Sequence, residues 1–349
     1  MRIRSAVNVL LVLVAIGATA CATLGAPSAT QPSVVVQQPA PTPDYSNVTP
    51  PPYPKHQTYD PVLQPATSDP VKEITLHVKD VTTDIAPGVP VDLWTFDGTT
   101  PGPTLHVNLG DKVKFTLVND GSLEHSIDFH AAQTPWNINY KSIKPGEKLS
   151  FDWQANYPGV FVYHCGTPPV LHHIANGMYG AIVVSSPDLK SVAKEYVLLQ
   201  SEFYVKKGAD GLYHTDSGKA LAVQPDYVVF NGYANQYQDA PLTADPGQRI
   251  RIWVANIGPT TFSAFHIIGA IFDAAYPNGN PQNEEHGMQT VTVPPGGGYM
   301  VELTVPDAGL YPIVTHAFAY TGLGALGLLK VGDGGTTSSA NTSTASLSH

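Results

Sequence analysis

Three stretches of this 349-residue chain carry side chains suited to chemistry: His125-Ser-Ile-Asp128-Phe-His130, His164-Cys165, and His173-Ile-Ala-Asn-Gly-Met178. A thiolate, two imidazoles and a thioether gathered this way match a mononuclear blue-copper electron-transfer site, His₂Cys with a weak axial Met. Two further histidines remain. Side chains alternate faces along a strand, so residues an odd number apart point opposite ways. His125 and His130 are five apart, and His164 and Cys165 are adjacent. If His125 and Cys165 share one metal, His130 and His164 turn together toward a second site on the other side. Asp128 lies two residues before His130, on the same face. A carboxylate there can orient a ligand or deliver a proton.

The elements that must position these residues read as short strands. Alternating or β-branched runs span 73–78, 112–118, 160–163, 181–184, 249–255, 289–293 and 300–305, punctuated by Gly, Pro and Asn. That pattern predicts an all-β chain of sandwiches rather than βαβ units. The halves also repeat. Phe96-Asp-Gly98 recurs as Phe230-Asn-Gly232, and Gly110-Asp-Lys-Val-Lys-Phe-Thr-Leu-Val-Asn119 as Gly247-Gln-Arg-Ile-Arg-Ile-Trp-Val-Ala-Asn256. Phe129-His130 aligns with Phe265-His266, Pro145-Gly146 with Pro295-Gly296, and 159–164 approximately with 309–316. The second copy has Ala317 where the first has Cys165, yet keeps His266 and His316, the counterparts of His130 and His164. A copy that drops one site and keeps the other pair is expected to contribute to a shared site.

The ends predict an address. Arg2 and Arg4 precede an apolar run from Ala6 to Ala18, too short to span a bilayer and shaped like a secretory leader. It closes on Ala18-Thr-Ala-Cys21, a lipoprotein-type box with Cys21 as the lipidated residue. Residues 1–21 are therefore expected to be the leader and lipidation Cys. Residues 22–70 are expected to form a Pro-rich disordered tether, 71–188 and 189–331 two folded domains, and 332–349 a disordered tail. The product is expected outside the cytoplasm, in the periplasm or at the cell surface, touching membrane through the lipid alone. Cys21 and Cys165 are the two cysteines and each has its own task, so no disulfide is expected. A formal net charge of -10 argues against nucleic acid and is compatible with a basic redox partner.

On these motifs the chain resembles the copper-containing, nitric-oxide-forming nitrite reductases, over about residues 70–331. The resemblance implies two tandem cupredoxin-like Greek-key β-sandwiches, a homotrimer, and two coppers per subunit. It places His125, Cys165, His173 and Met178 on the blue copper, and prefers His173 to His172 by its spacing to Met178. It places His130 and His164 on the catalytic copper, with His316 supplied by a neighbouring subunit. Asp128 and His266 then fall on catalytic positions and Ile268 on the substrate pocket. The implied partners are nitrite and a small electron donor, a cytochrome c or a cupredoxin, with the electron crossing from Cys165 to His164. The loop from Cys165 to His173 is one residue shorter than in the best-known members, and Gly269-Ala-Ile-Phe272 replaces their glycine-rich run.

Two other readings are weighed. A laccase-type two-domain multicopper oxidase needs a trinuclear cluster, usually built on His-x-His pairs, and none occurs among the thirteen histidines. A non-catalytic exported copper carrier would leave the retention of His316 unexplained. His56, His77, His106, His214, His286 and His349 have no comparable context.

Overall fold

The computed structural model describes residues 43–333. Leader, Cys21 and the tail from residue 334 lie outside them. Among the described residues no helix is long and apolar enough to cross a membrane.

Two tandem β-sandwiches of the expected cupredoxin type make up the chain. In the first, a six-stranded sheet runs Val205–Lys207, Tyr213–Thr215, Pro90–Phe96, Val71–Asp84, Lys112–Asn119, Lys148–Gln154. It faces a sheet of Leu105–Asn108, Tyr179–Ser185, Gly159–His164 and Asp128–Phe129. In the second, Tyr227–Phe230, Lys194–Phe203, Arg249–Gly258, Gly297–Thr304, Phe272–Pro277 and Glu285–Met288 face Leu242–Ala244, Leu326–Val331, Gly309–Thr315, Ser263–Ile267 and Thr290–Val293. Each expected strand is present, and the alternation is visible in place: Lys148–Gln154 buries Leu149, Phe151 and Trp153 and exposes the residues between.

The repeat is structural. Val71–Asp84 runs parallel to Lys112–Asn119, which pairs antiparallel with Lys148–Gln154. Lys194–Phe203, Arg249–Gly258 and Gly297–Thr304 reproduce that order and sense. The asparagine ending each repeated motif does the same work twice. Asn119 Nδ2 donates to the carbonyls of Leu123 and Ile143, and Asn256 Nδ2 to those of Thr261 and Val293.

Gly159–His164 is the strand on which the rest converges. Tyr163 and Cys165 join the first core with Phe115, Phe129 and Ile182. Val160 and Val162 pack instead with Val197, Trp253 and Met300 of the second sandwich. The approach is close enough that a Cβ at Gly298 would collide with the Val160 carbonyl, and one at Gly159 (φ +147°) with that of Asn278.

Two expectations change. The hairpin Val205–Lys207/Tyr213–Thr215 comes from the second half yet extends the first sandwich, pairing Tyr213 with Val91. The stretch expected as disordered tether is, from Asp44 onward, a strap fixed to both sandwiches. Tyr59 OH bonds Gly102 O and Thr104, its N–H donates to Gln236 Oε1, and Leu63 is buried with its N–H on Glu195 O. Apolar anchors spaced among the prolines override the disorder that composition suggests. Leu63→Ala should then lower unfolding stability by about 2 kcal/mol, the low end for burying a leucine. Urea denaturation of a protein beginning near residue 44 tests this, and an unchanged midpoint would mean the strap contributes nothing.

Candidate metal centres

Asn119 braces the first site from below. With its amide on the Leu123 and Ile143 carbonyls, the segment before Asp128 is held in a two-way backbone pairing of His125 with Ile143. His125 thus sits outside the regular strand, which is only Asp128–Phe129, yet its ring faces Cys165 as the alternation argument required. Cys165 follows Gly159–His164 directly, and its N–H is held by Met178 O (3.1 Å). His173 comes from a short helix, Val170–Ala175, where sequence reading saw only loop. A helical turn sends His172 and His173 to different sides. His173 Nδ1 lies 3.3 Å from Cys165 Sγ and 3.2 Å from His125 Nδ1, and Sγ to His125 Nδ1 is 3.9 Å. His172 instead bonds Ser217 Oγ at 2.8 Å.

The set His125, Cys165 and His173 is buried, and Met178 beside it is wholly so. Burial pushes both His125 and His173 down to about 4, so the imidazoles are neutral, the form that binds metal. For His173 the neighbouring His125 and His172 add to that depression. Burial raises the Cys165 thiol, partly offset by hydrogen bonds from Ser126 and Thr167. A bound cation would reverse this and hold the thiolate. Ser126 N–H donates to the sulfur at 3.4 Å. The donors fit copper: a soft sulfur and two neutral imidazoles close enough together to hold one ion, with the Met178 thioether buried in the same core.

The second set faces the other way. Asp128 pairs directly across from His164 in the ladder, and their side chains approach to 3.9 Å. His164 Nδ1 lies 3.0 Å from Cys165 O, and His130 Nδ1 3.1 Å from Gly296 O. A carbonyl only accepts, so both Nδ1 atoms carry a proton, and in the neutral rings both Nε2 atoms carry lone pairs. Those two lone pairs face each other at 3.2 Å. Among the described residues no third imidazole or thiolate stands between them, and a cation there would convert the repulsion into ligation. Burial lowers His164, keeping it neutral; the Cys165 carbonyl and Asp128 oppose that, and His130 adds to it. His130 is exposed and Asp128 half-buried, so this site opens to solvent while the first is dry.

His316 and His266 form a third group. Their rings are 5.5 Å apart, His266 Nδ1 bonds Gln289 O at 2.6 Å, and His316 lies against Phe318. Ile268, two residues beyond His266, is exposed. Within one chain, the described residues do not bring His316 to His130 and His164. A cavity of about 250 Å³ beneath the strap, lined by His56 and Thr100 among others, shares no residue with these groups. Sequence reading missed three supporting features. Trp94 lies over the first site; its residue type gave no hint. Gly296 O fixes His130, and Asn119 fixes the His125 loop; both belong to the repeated motifs and were visible there.

Comparison with known proteins gives a consistent picture. Family models described as multicopper oxidase match residues 77–189 and 194–329. The chain is 40% identical to the copper-containing nitrite reductase of Neisseria meningitidis serogroup A, over 78% of this chain and 74% of that protein. It is 32% identical to that of Alcaligenes faecalis, over 70% and 72%. The solved copper nitrite reductase from Nitrosomonas europaea superposes with a TM-score of 0.71 at 36% identity, covering 75% of this chain and 94% of that one.

The dryness of the first site has a measurable consequence. In copper-free protein, His125 and His173 should titrate at about 4 by NMR, against 6.5 in the unfolded chain. Both pKa values are depressed, so the unfolded chain takes up protons first. Stability should be full above pH 6.5 and erode as pH falls toward 4. A midpoint near 6.5 for either ring would mean that the pocket is wet.

Proposed function

This chain belongs to the copper-containing nitrite reductases of the multicopper oxidase family, and from that premise we propose that it reduces nitrite by one electron to nitric oxide. The observation that carries the reading is the pair of opposed Nε2 lone pairs on His130 and His164. They sit beside Asp128 and one peptide bond from the buried Cys165 set. His125, Cys165, His173 and Met178 hold one copper, and His130, His164 and His316 the other. Copper supplies one-electron redox chemistry at the first set and Lewis acidity toward a small anion at the second.

The chain's own groups do the rest. The Cys165–His164 peptide links the two sets and is the electron's path. Reducing nitrite to nitric oxide and water consumes one electron and two protons. Asp128, half-open to solvent beside His164, donates one, and His266 the other. Gln289 O holds the His266 Nδ1 proton, which leaves Nε2 to exchange. Ile268, exposed on the His266 side, roofs the bound anion.

A site with two imidazoles on one surface and His316 on another is completed by a second copy. A heterologous contact repeated by a threefold rotation closes into a trimer. Apolar side chains left exposed near both half-sites support this: Trp136 and Ile138 after His130, and Phe262, Ile268 and Phe318 around His266 and His316. The same proposal includes export with anchorage through Cys21, and a small cytochrome c or cupredoxin as donor. The laccase-type alternative needs a trinuclear cluster, and among the described residues the second set gathers two histidines and one carboxylate.

Purified protein should hold two coppers per chain and form nitric oxide from nitrite with an artificial donor. Asp128→Asn should keep both coppers and lose about 10²–10⁴ of the turnover, the range for a positioned acid–base group. Unchanged rates across acidic pH would make Asp128 a bystander.

The shared site has its own test. His316→Ala and His130→Ala proteins should each be inactive and each keep the blue colour. Trimers re-assembled from a mixture of the two should regain activity, because some interfaces pair two intact faces. A fully active monomer by sedimentation would overturn the trimer.

A further inference from the structure

The buried donor set raises a question of access, because both of its imidazoles are buried: His125 is 0% exposed and His173 5%. Little of either ring is open to a carrier protein. A more exposed aromatic side chain packed against both is Trp94, in the middle of Pro90–Phe96 and only partly buried. Its ring centroid is 4.9 Å from His173, 5.4 Å from His125 and 5.3 Å from His172, all contact distances for stacked or edge-on rings.

The backbone that carries the indole is also held. Trp94 N–H donates to Asn176 O at 3.1 Å, and Asn176 Oδ1 accepts from Thr215 Oγ1 at 2.5 Å. Asp80 pairs with Trp94 across the strand ladder. So the loop bearing His173 and Met178 is tied to the strand bearing Trp94. His172 is the competing route. It is covalently next to His173, but its ring is turned to Ser217 and meets the set through Trp94.

We propose that Trp94 is the conduit by which the electron from a carrier protein reaches the buried site, and that the carrier docks over its exposed edge. This rests on the nitrite reductase reading. One electron leaves the carrier, which is oxidised by one unit, and passes through the indole to His173 and the copper it holds, which is reduced by one unit. Trp94 ends unchanged and no proton moves. The partner is a one-electron carrier small enough to set its redox edge against a single indole.

The test uses the full trimeric holoenzyme, with Trp94→Phe and Trp94→Leu beside wild type and His172→Asn. Stopped-flow loss of the blue absorption is followed with two reductants, a reduced small c-type cytochrome and dithionite. Trp94→Leu should slow reduction by the cytochrome by an order of magnitude or more, and reduction by dithionite little. Trp94→Phe should restore most of the rate, and His172→Asn should stay near wild type. A second readout needs no turnover. The chain has four tryptophans, and copper loading should quench a fluorescence component that is missing in Trp94→Phe. Equal cytochrome rates in Trp94→Leu and wild type, a slow His172→Asn with a fast Trp94→Leu, or identical quenching in Trp94→Phe would each overturn the proposal. Those outcomes differ from failure of the underlying reading, which would appear as no nitric oxide from wild type with the artificial donor.

Discussion

A strand buried on both faces governs this molecule. Gly159–His164 alternates its side chains between two cores, so residues of one parity belong to the first sandwich and those of the other to the interface between sandwiches. Tyr163 and Cys165 turn inward, while Val160, Val162 and His164 turn to the second sandwich. A central strand in a double contact cannot slip register, since one step would drive every side chain into the wrong core. That constraint sets the Cys165 sulfur and the His164 imidazole back to back, on residues joined by one peptide bond. Each donor set then assembles around an anchor that packing has already fixed.

The environments of the two sets follow from which side they face. On the core side, water is excluded, the histidines are neutral and the sulfur accepts from the Ser126 amide. A redox centre held in such surroundings changes charge with little rearrangement of its neighbours. On the interface side, the second sandwich lends a carbonyl, Gly296 O, to fix His130, but leaves Asp128 half open. The same peptide bond therefore divides a dry side from a solvent-open one.

Much of this was legible in the sequence because the signals were local. Adjacency of His164 and Cys165, and the five-residue offset of His125 from His130, decided the two-faced arrangement even though the regular strand covers only Asp128 and Phe129. The repeat exposed the duplication, and the paired Asn119 and Asn256 turn out to be its internal braces. Non-local features were hidden. Trp94 is brought against His125 and His173 by a strand some 30 residues upstream of His125. Val170–Ala175 is six residues long, below what helical periodicity can register. The strap misled because prolines dominate its composition, while single anchors such as Tyr59 and Leu63 set its fate.

Duplication accounts for how the chain distributes its histidines. Two copies of one sandwich offer two copies of each face. With Ala317 at the position matching Cys165, the second copy has no thiolate set, and His316 and His266 lie together. Inside one chain, the inter-sandwich contact is taken up by Val160 and Val162 packing with Trp253 and Met300, and among the described residues no third imidazole joins His130 and His164. The retained pair lies apart from His130 and His164 within the chain, with the exposed apolar side chains of Phe262, Ile268 and Phe318 close to it in sequence. In the trimer proposed above, a surface carrying His266 and His316 would meet one carrying His130 and His164, and closing the ring would join every half-site to its complement.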